Sequence, residues 1–76
     1  MLNKDELYDF LKKNKGIKFR VIHLAQLFST DNKTINNKLS GMFKNKGVFY
    51  RGFDREQIKA IAHNSREYLC YVYFVK

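Results

Sequence analysis

The chain has 76 residues, 45% of them hydrophobic, with seven Phe, five Tyr and no Pro. That length gives one domain with little core to spare for a deep catalytic cleft, and the apolar content excludes a disordered chain. The formal net charge is +8, which points to a polyanionic partner.

The charge is unevenly spread. Residues 1–13 sum to zero, residues 14–53 to +7 with Asp31 the single acid, and residues 54–76 to +1. Cys70 is the only cysteine, so no intramolecular disulfide can form and a reducing cytoplasm is expected. His23, His63 and Cys70 are too few and too scattered for a structural zinc site, and no cofactor is expected. Neither histidine lies in a Ser, Cys or acid arrangement that suggests a nucleophile and base, so an enzyme is not expected. The longest apolar run, Tyr68–Val75, is far short of the ~20 residues that a membrane helix needs. The opening residues also lack the apolar core of a signal peptide.

A first helix is expected from Lys4 to about Asn14. Asn3 can cap it, Glu6 stands three residues on for a reciprocal capping bond, and Leu7, Phe10 and Leu11 form an apolar stripe. Lys12, Lys13 and Lys15 suit the negative end of the helix dipole, and Gly16 offers a stop. Ile17 to Arg20 alternates apolar and basic, as a short extended piece would.

Val21, Leu24, Ala25 and Phe28 fall at i, i+3, i+4 and i+7 and predict a second helix over 21–28, with His23 half-buried on it. The polar run from Ser29 to Asn32 breaks that pattern, and Asp31 is a good N-cap for a third helix over 32–45, with Ser29 or Thr30 as alternatives. At 100° per residue, Ile35, Leu39, Met42 and Phe43 share one face of it. Lys33, Asn36, Asn37, Ser40 and Lys44 share another, which is polar but holds no acid. Ordinary solvent-facing helix surfaces mix Glu with Lys, so that absence is informative. Gly41 lies inside this helix, either tolerated or there for a close approach of backbone to a partner.

Beyond Gly47, Val48 to Arg51 has strand character, and so has Tyr68 to Val75. Residues 54–64 can be read two ways. Asp54 and Gln57 match a capping box with Ile58, Ile61 and Ala62 at helical spacing, whereas Ile58, Ala60 and Ala62 alternate as a strand before a turn at His63–Arg66. The strand is favoured, because a C-terminal strand needs an antiparallel partner. Leu69, Tyr71, Tyr73 and Val75 would face one way and Tyr68, Cys70, Val72 and Phe74 the other. Both faces are apolar, so one is a candidate dimer or partner surface unless the domain's own residues cover it.

Leu24-Ala25, Phe28, Thr34-Ile35-Asn36-Asn37-Lys38-Leu39, Met42 and Gly47 together resemble the winged helix-turn-helix superfamily of bacterial and viral regulators. The resemblance spans nearly the whole chain, residues 1–76 as one domain, and implies an α+β fold of three N-terminal helices followed by a C-terminal antiparallel β-hairpin, the wing. The stretch from the third helix to Gly47 is about one residue longer than the family's usual pattern. The resemblance further implies that the helix over 32–45 enters the major groove of double-stranded DNA while the wing meets a flanking minor groove or phosphate.

The residue chemistry agrees. Asn36 and Asn37 can each bond adenine N6 and N7, and Ser40 stands on the same face. Lys33, Lys38 and Lys44 suit phosphates, and Thr34 a thymine methyl or a phosphate. Lys18 and Arg20 can reach the backbone through long stems, and Lys59, Asn64 and Arg66 are the candidate wing contacts. Tyr71 and Tyr73 are candidate contacts to a homodimer mate or a protein partner. The expected function is that of a small transcriptional regulator, by occlusion or recruitment at a promoter. The rivals are a phage or plasmid replication or segregation accessory, a module that binds host protein, and an RNA binder with stacking aromatics outside its core.

Overall fold

The computed structural model describes residues 2–76. Helix α1 spans Lys4–Lys13, and the Asn3 Oδ1 accepts from the Glu6 N–H at 2.8 Å as its N-cap. Acids in its first turn and lysines in its last complement the helix dipole. Leu7 and Leu11 are fully buried, and Phe10 packs against Phe19 and Phe28 with ring centroids 5.3 Å from each. Gly16 then adopts φ +86°, a left-handed turn that suits glycine. Its N–H donates to the Val75 carbonyl at 2.9 Å, which ties the end of α1 to the last strand.

Between α1 and the next helix lies a two-residue strand, β1, Phe19–Arg20. It corrects the expected order of three helices followed by a hairpin, because the sheet has three strands. Phe19 turns inward onto Phe10, while its backbone and that of Arg20 pair antiparallel with Tyr73 and Val72. Helix α2, Val21–Leu27, buries Leu24 and Ala25. His23 is exposed rather than half-buried, since it lies on the helix side opposite that apolar stripe. Helix α3 spans Asn32–Lys44, and Asp31 caps it by accepting from the Thr34 N–H at 2.7 Å. Ile35, Leu39 and Met42 are fully buried.

Residues 48–51 form turns, not the expected extended piece. The Val48 and Phe49 amides both donate back to the Asn45 carbonyl, and the Phe53 amide donates to the Tyr50 carbonyl. The chain must reverse from α3 into the sheet, and Gly52 at φ +82° completes that reversal. Tyr50 anchors the loop: its ring is buried and its hydroxyl donates to the Asp5 carboxylate at 3.3 Å. The Tyr8 hydroxyl donates to the Arg51 carbonyl at 2.7 Å, so α1 holds both ends of the turn.

Strands β2, Phe53–Ile61, and β3, Glu67–Val75, form an antiparallel hairpin closed by a turn over 62–66. The strand reading of residues 54–64 is therefore the observed one up to Ile61. The Asp54 side chain accepts from the Arg55 N–H at 2.8 Å, within the strand, instead of capping a helix. The sheet order is β1-β3-β2. Paired residues of an antiparallel hairpin share a face, so Phe53, Arg55, Gln57, Lys59 and Ile61 lie on the side of Val75, Tyr73, Tyr71, Leu69 and Glu67. Phe53, Tyr73 and Val75 from this inner side join Leu7, Leu11, Leu24, Ile35, Leu39 and Met42 in the core.

Side chains of the segment around β1 lie over part of the outer side of the sheet, where Tyr68 stays 40% exposed. The Lys18 ammonium lies 5.4 Å from the Phe74 ring centroid and the Arg20 guanidinium 5.9 Å from that of Tyr68. Each charged group also has a polar partner, Glu56 for Lys18 and the Tyr68 hydroxyl for Arg20.

Candidate nucleic-acid interface

The 3.6-residue period of α3 that buries Ile35, Leu39 and Met42 turns Lys33, Asn36, Asn37, Ser40 and Lys44 outward, and all five are exposed. Thr34 and Lys38 lie at one margin of this face, half-buried in a depression shared with Leu2 and Phe28. Asn36 lies at the other margin, where it lines a notch with Arg20, Cys70, Tyr71 and Tyr73. Asp31 sits at the N-terminus of α3, not on this face. The Thr34 hydroxyl first and its N–H second hold the Asp31 carboxyl below the usual aspartate range. Gly41 lies on the side of α3 that meets α1, where a Cβ would come within 2.5 Å of the Lys4 Nζ. The close approach that glycine permits is thus internal to the domain.

The register of the hairpin sorts its charges by face. Arg55 and Lys59 lie on the inner face, the side of α3, with Glu67 at the far end. Asp54 and Glu56 lie on the outer face. Every ion pair among the described residues involves one of those two outer acids: Lys18 with Glu56, Lys46 with Asp54 at 3.7 Å, and Lys76 with Asp54 at 3.1 Å. The Arg55 N–H and the Lys76 ammonium hold the Asp54 carboxyl below its usual range. None of Lys33, Lys44, Arg55 and Lys59 is in an ion pair among the described residues.

Two expected backbone contacts are engaged within the domain. Lys18 is turned to the outer face and paired with Glu56. Arg20 reaches the notch beside Asn36, but its guanidinium donates to the Tyr68 hydroxyl at 2.7 Å, which raises its already high pKa. In the hairpin turn, the Asn64 side chain accepts from the Arg66 N–H at 3.2 Å, so Asn64 shapes the turn that presents Arg66. Lys59 and Arg66 are exposed. Tyr73 is 5% exposed and stacks on Phe53 with centroids 6.0 Å apart, which makes it a core residue and not a docking contact. Tyr71, at 38%, keeps one side open.

One cation on this surface escaped the sequence reading. The Arg55 Cζ lies 4.1 Å from the Phe43 ring centroid and 4.2 Å from that of Tyr71, so α3 and β3 each supply a ring to one guanidinium. Its partners come from distant parts of the chain. The only sequence signal is the parity of the hairpin, which puts residues 55 and 71 on one face once the register is known.

Compared with known protein families, with curated proteins and with solved structures, the chain matches none. Among the described residues, no helix is long and apolar enough to cross a membrane, and no three His, Cys, Asp or Glu side chains cluster as a metal site would require.

Proposed function

We propose that this domain is a winged helix-turn-helix that binds double-stranded DNA and acts as a small transcriptional regulator. In this reading α3 lies in the major groove, with Asn36 and Asn37 on base edges and Lys33 and Lys44 on phosphates. The β2–β3 hairpin is the wing, with Lys59 and Arg66 towards the flanking backbone.

The observation that supports it best is the sorting of charge. The exposed side of α3 is acid-free, the hairpin cations that share its side have no acid partner among the described residues, and the hairpin's Asp54 and Glu56 face away, engaged with Lys18, Lys46 and Lys76. A surface whose cations are unpaired on one side, with Asp54 and Glu56 engaged on the other and Glu67 only at the far end of the hairpin, suits a duplex that lies along that basic side.

The test is a fluorescence-anisotropy titration with a random-sequence duplex over a salt series. Neutralisation of four to six phosphates gives a slope of log affinity against log salt of about −4 to −5. Lys33→Ala with Lys44→Ala is expected to flatten it by up to about 2. Absence of binding at low salt would overturn the reading.

A further inference from the structure

We infer that Arg55 is a pre-oriented phosphate ligand, set in the crease between α3 and the hairpin. The inference rests on the duplex-binding reading and adds to it a contact that lies on neither α3 nor the hairpin turn.

Arg55 is on the inner face of β2, opposite Tyr73 and diagonal to Tyr71. Phe43 is one turn beyond Leu39 on α3 and is half-buried. The guanidinium carbon lies 4.1 Å from one ring centroid and 4.2 Å from the other. The rings offer the guanidinium no hydrogen-bond acceptor, and among the described residues its side chain has no acid partner and makes no hydrogen bond. The edge N–H groups form the fork that matches two oxygens of a phosphodiester.

A guanidinium needed only to strap the hairpin to α3 would gain from an acid, and two stand close in sequence. Asp54 and Glu56 flank Arg55, yet the strand alternation points both to the opposite face. The long arginine side chain loses considerable rotamer entropy when fixed in one geometry. Here the rings have already fixed it, so an incoming phosphate meets an oriented donor. Ser40 and Lys44 flank Phe43 on the adjoining exposed surface of α3, so a backbone that follows the α3 face passes the crease.

The test compares the wild-type chain with Arg55→Met, which keeps an apolar stem between the rings and removes the charge. Binding is read by anisotropy on a random-sequence duplex over a salt series, with the thermal midpoint of each protein measured alongside. The expected result is affinity lower by about tenfold at low salt, and a salt slope flatter by about 0.9, the value for one phosphate contact. A weaker affinity with an unchanged slope would show a strap without phosphate contact and overturn the proposal. A second readout uses the wild-type protein alone. The Arg55 side-chain Nε–H resonance, followed by ¹⁵N spectroscopy, is expected to shift on addition of the duplex, and a resonance that stays in place while duplex binds would also overturn it. Failure of the wild type to bind at all would remove the duplex reading itself, a result distinct from failure at Arg55 alone.

Discussion

Gly41 shows how a local penalty and a tertiary contact compete at one residue. Glycine inside a helix costs about 0.5–1 kcal/mol relative to alanine. The atoms that a Cβ would meet at this position are the far end of the Lys4 side chain, which is flexible and can swing away. Gly41→Ala is therefore expected to stabilise the fold by about 0.5–1 kcal/mol, seen as a higher thermal midpoint. A lower midpoint would mean that the approach of α1 to α3 needs the missing Cβ. Asp31 is governed by charge. Its carboxyl titrates below the usual aspartate range when folded, because Thr34 bonds to its ionised form. Such a group contributes stability that is present above its unfolded pKa, about 3.9, and is lost as pH falls through the lower folded value. Asp31→Asn keeps a capping oxygen and removes the titration. The variant is expected to lose less stability than the wild type as pH falls through and below about 4, measured by urea unfolding at a series of pH values.

The elements differ in how openly the sequence announces them. The N-termini of α1 and α3 were legible because Asn3 and Asp31 cap through local bonds spanning three residues. The apolar stripe of α3 was legible because its period is 3.6. Residues 48–51 misled: Val48 and Phe49 have strand propensity, yet they are 69% and 71% exposed in turns that the reversal of the chain demands. β1 was visible as an extended piece, but its place in the sheet depends on pairing with residues 72 and 73, far along the chain. The same distance hid the setting of Arg55. What covers the outer face of β3 was equally undecidable, since Lys18 and Arg20 read as free cations until they are seen against Phe74 and Tyr68. At the scale of α3 the duplex reading separates two kinds of contact. Asn36→Ala with Asn37→Ala is expected to reduce the preference for a selected site over random duplex by about 1–3 kcal/mol per lost base contact while leaving the salt slope intact. Competition titration after selection of the site checks this, and a changed slope with intact preference would assign the asparagines to the backbone.

Across the whole molecule, the net charge of +8 is a poorer guide than its arrangement. Lys18 and Lys76 are paired with Glu56 and Asp54, on the outer face of the sheet, whereas Lys33 and Lys44 stand on the open side of α3 with no acid partner among the described residues. Two double variants therefore remove the same two charges from opposite sides. If attraction to a duplex depended on total charge alone, Lys18→Ala with Lys76→Ala would weaken binding as much as Lys33→Ala with Lys44→Ala. If the duplex lies along α3 and the inner face of the hairpin, counterion release counts only the cations that meet phosphate. The outer pair is then expected to leave the salt slope within about 0.3 of the wild type, and the α3 pair to flatten it by up to about 2. Screening works in the same direction, because an exposed charge more than a Debye length from the phosphates, about 8–10 Å at 0.1–0.15 M salt, is largely hidden. Equal flattening by both pairs would assign the binding to diffuse charge attraction and remove the basis for placing α3 in the groove.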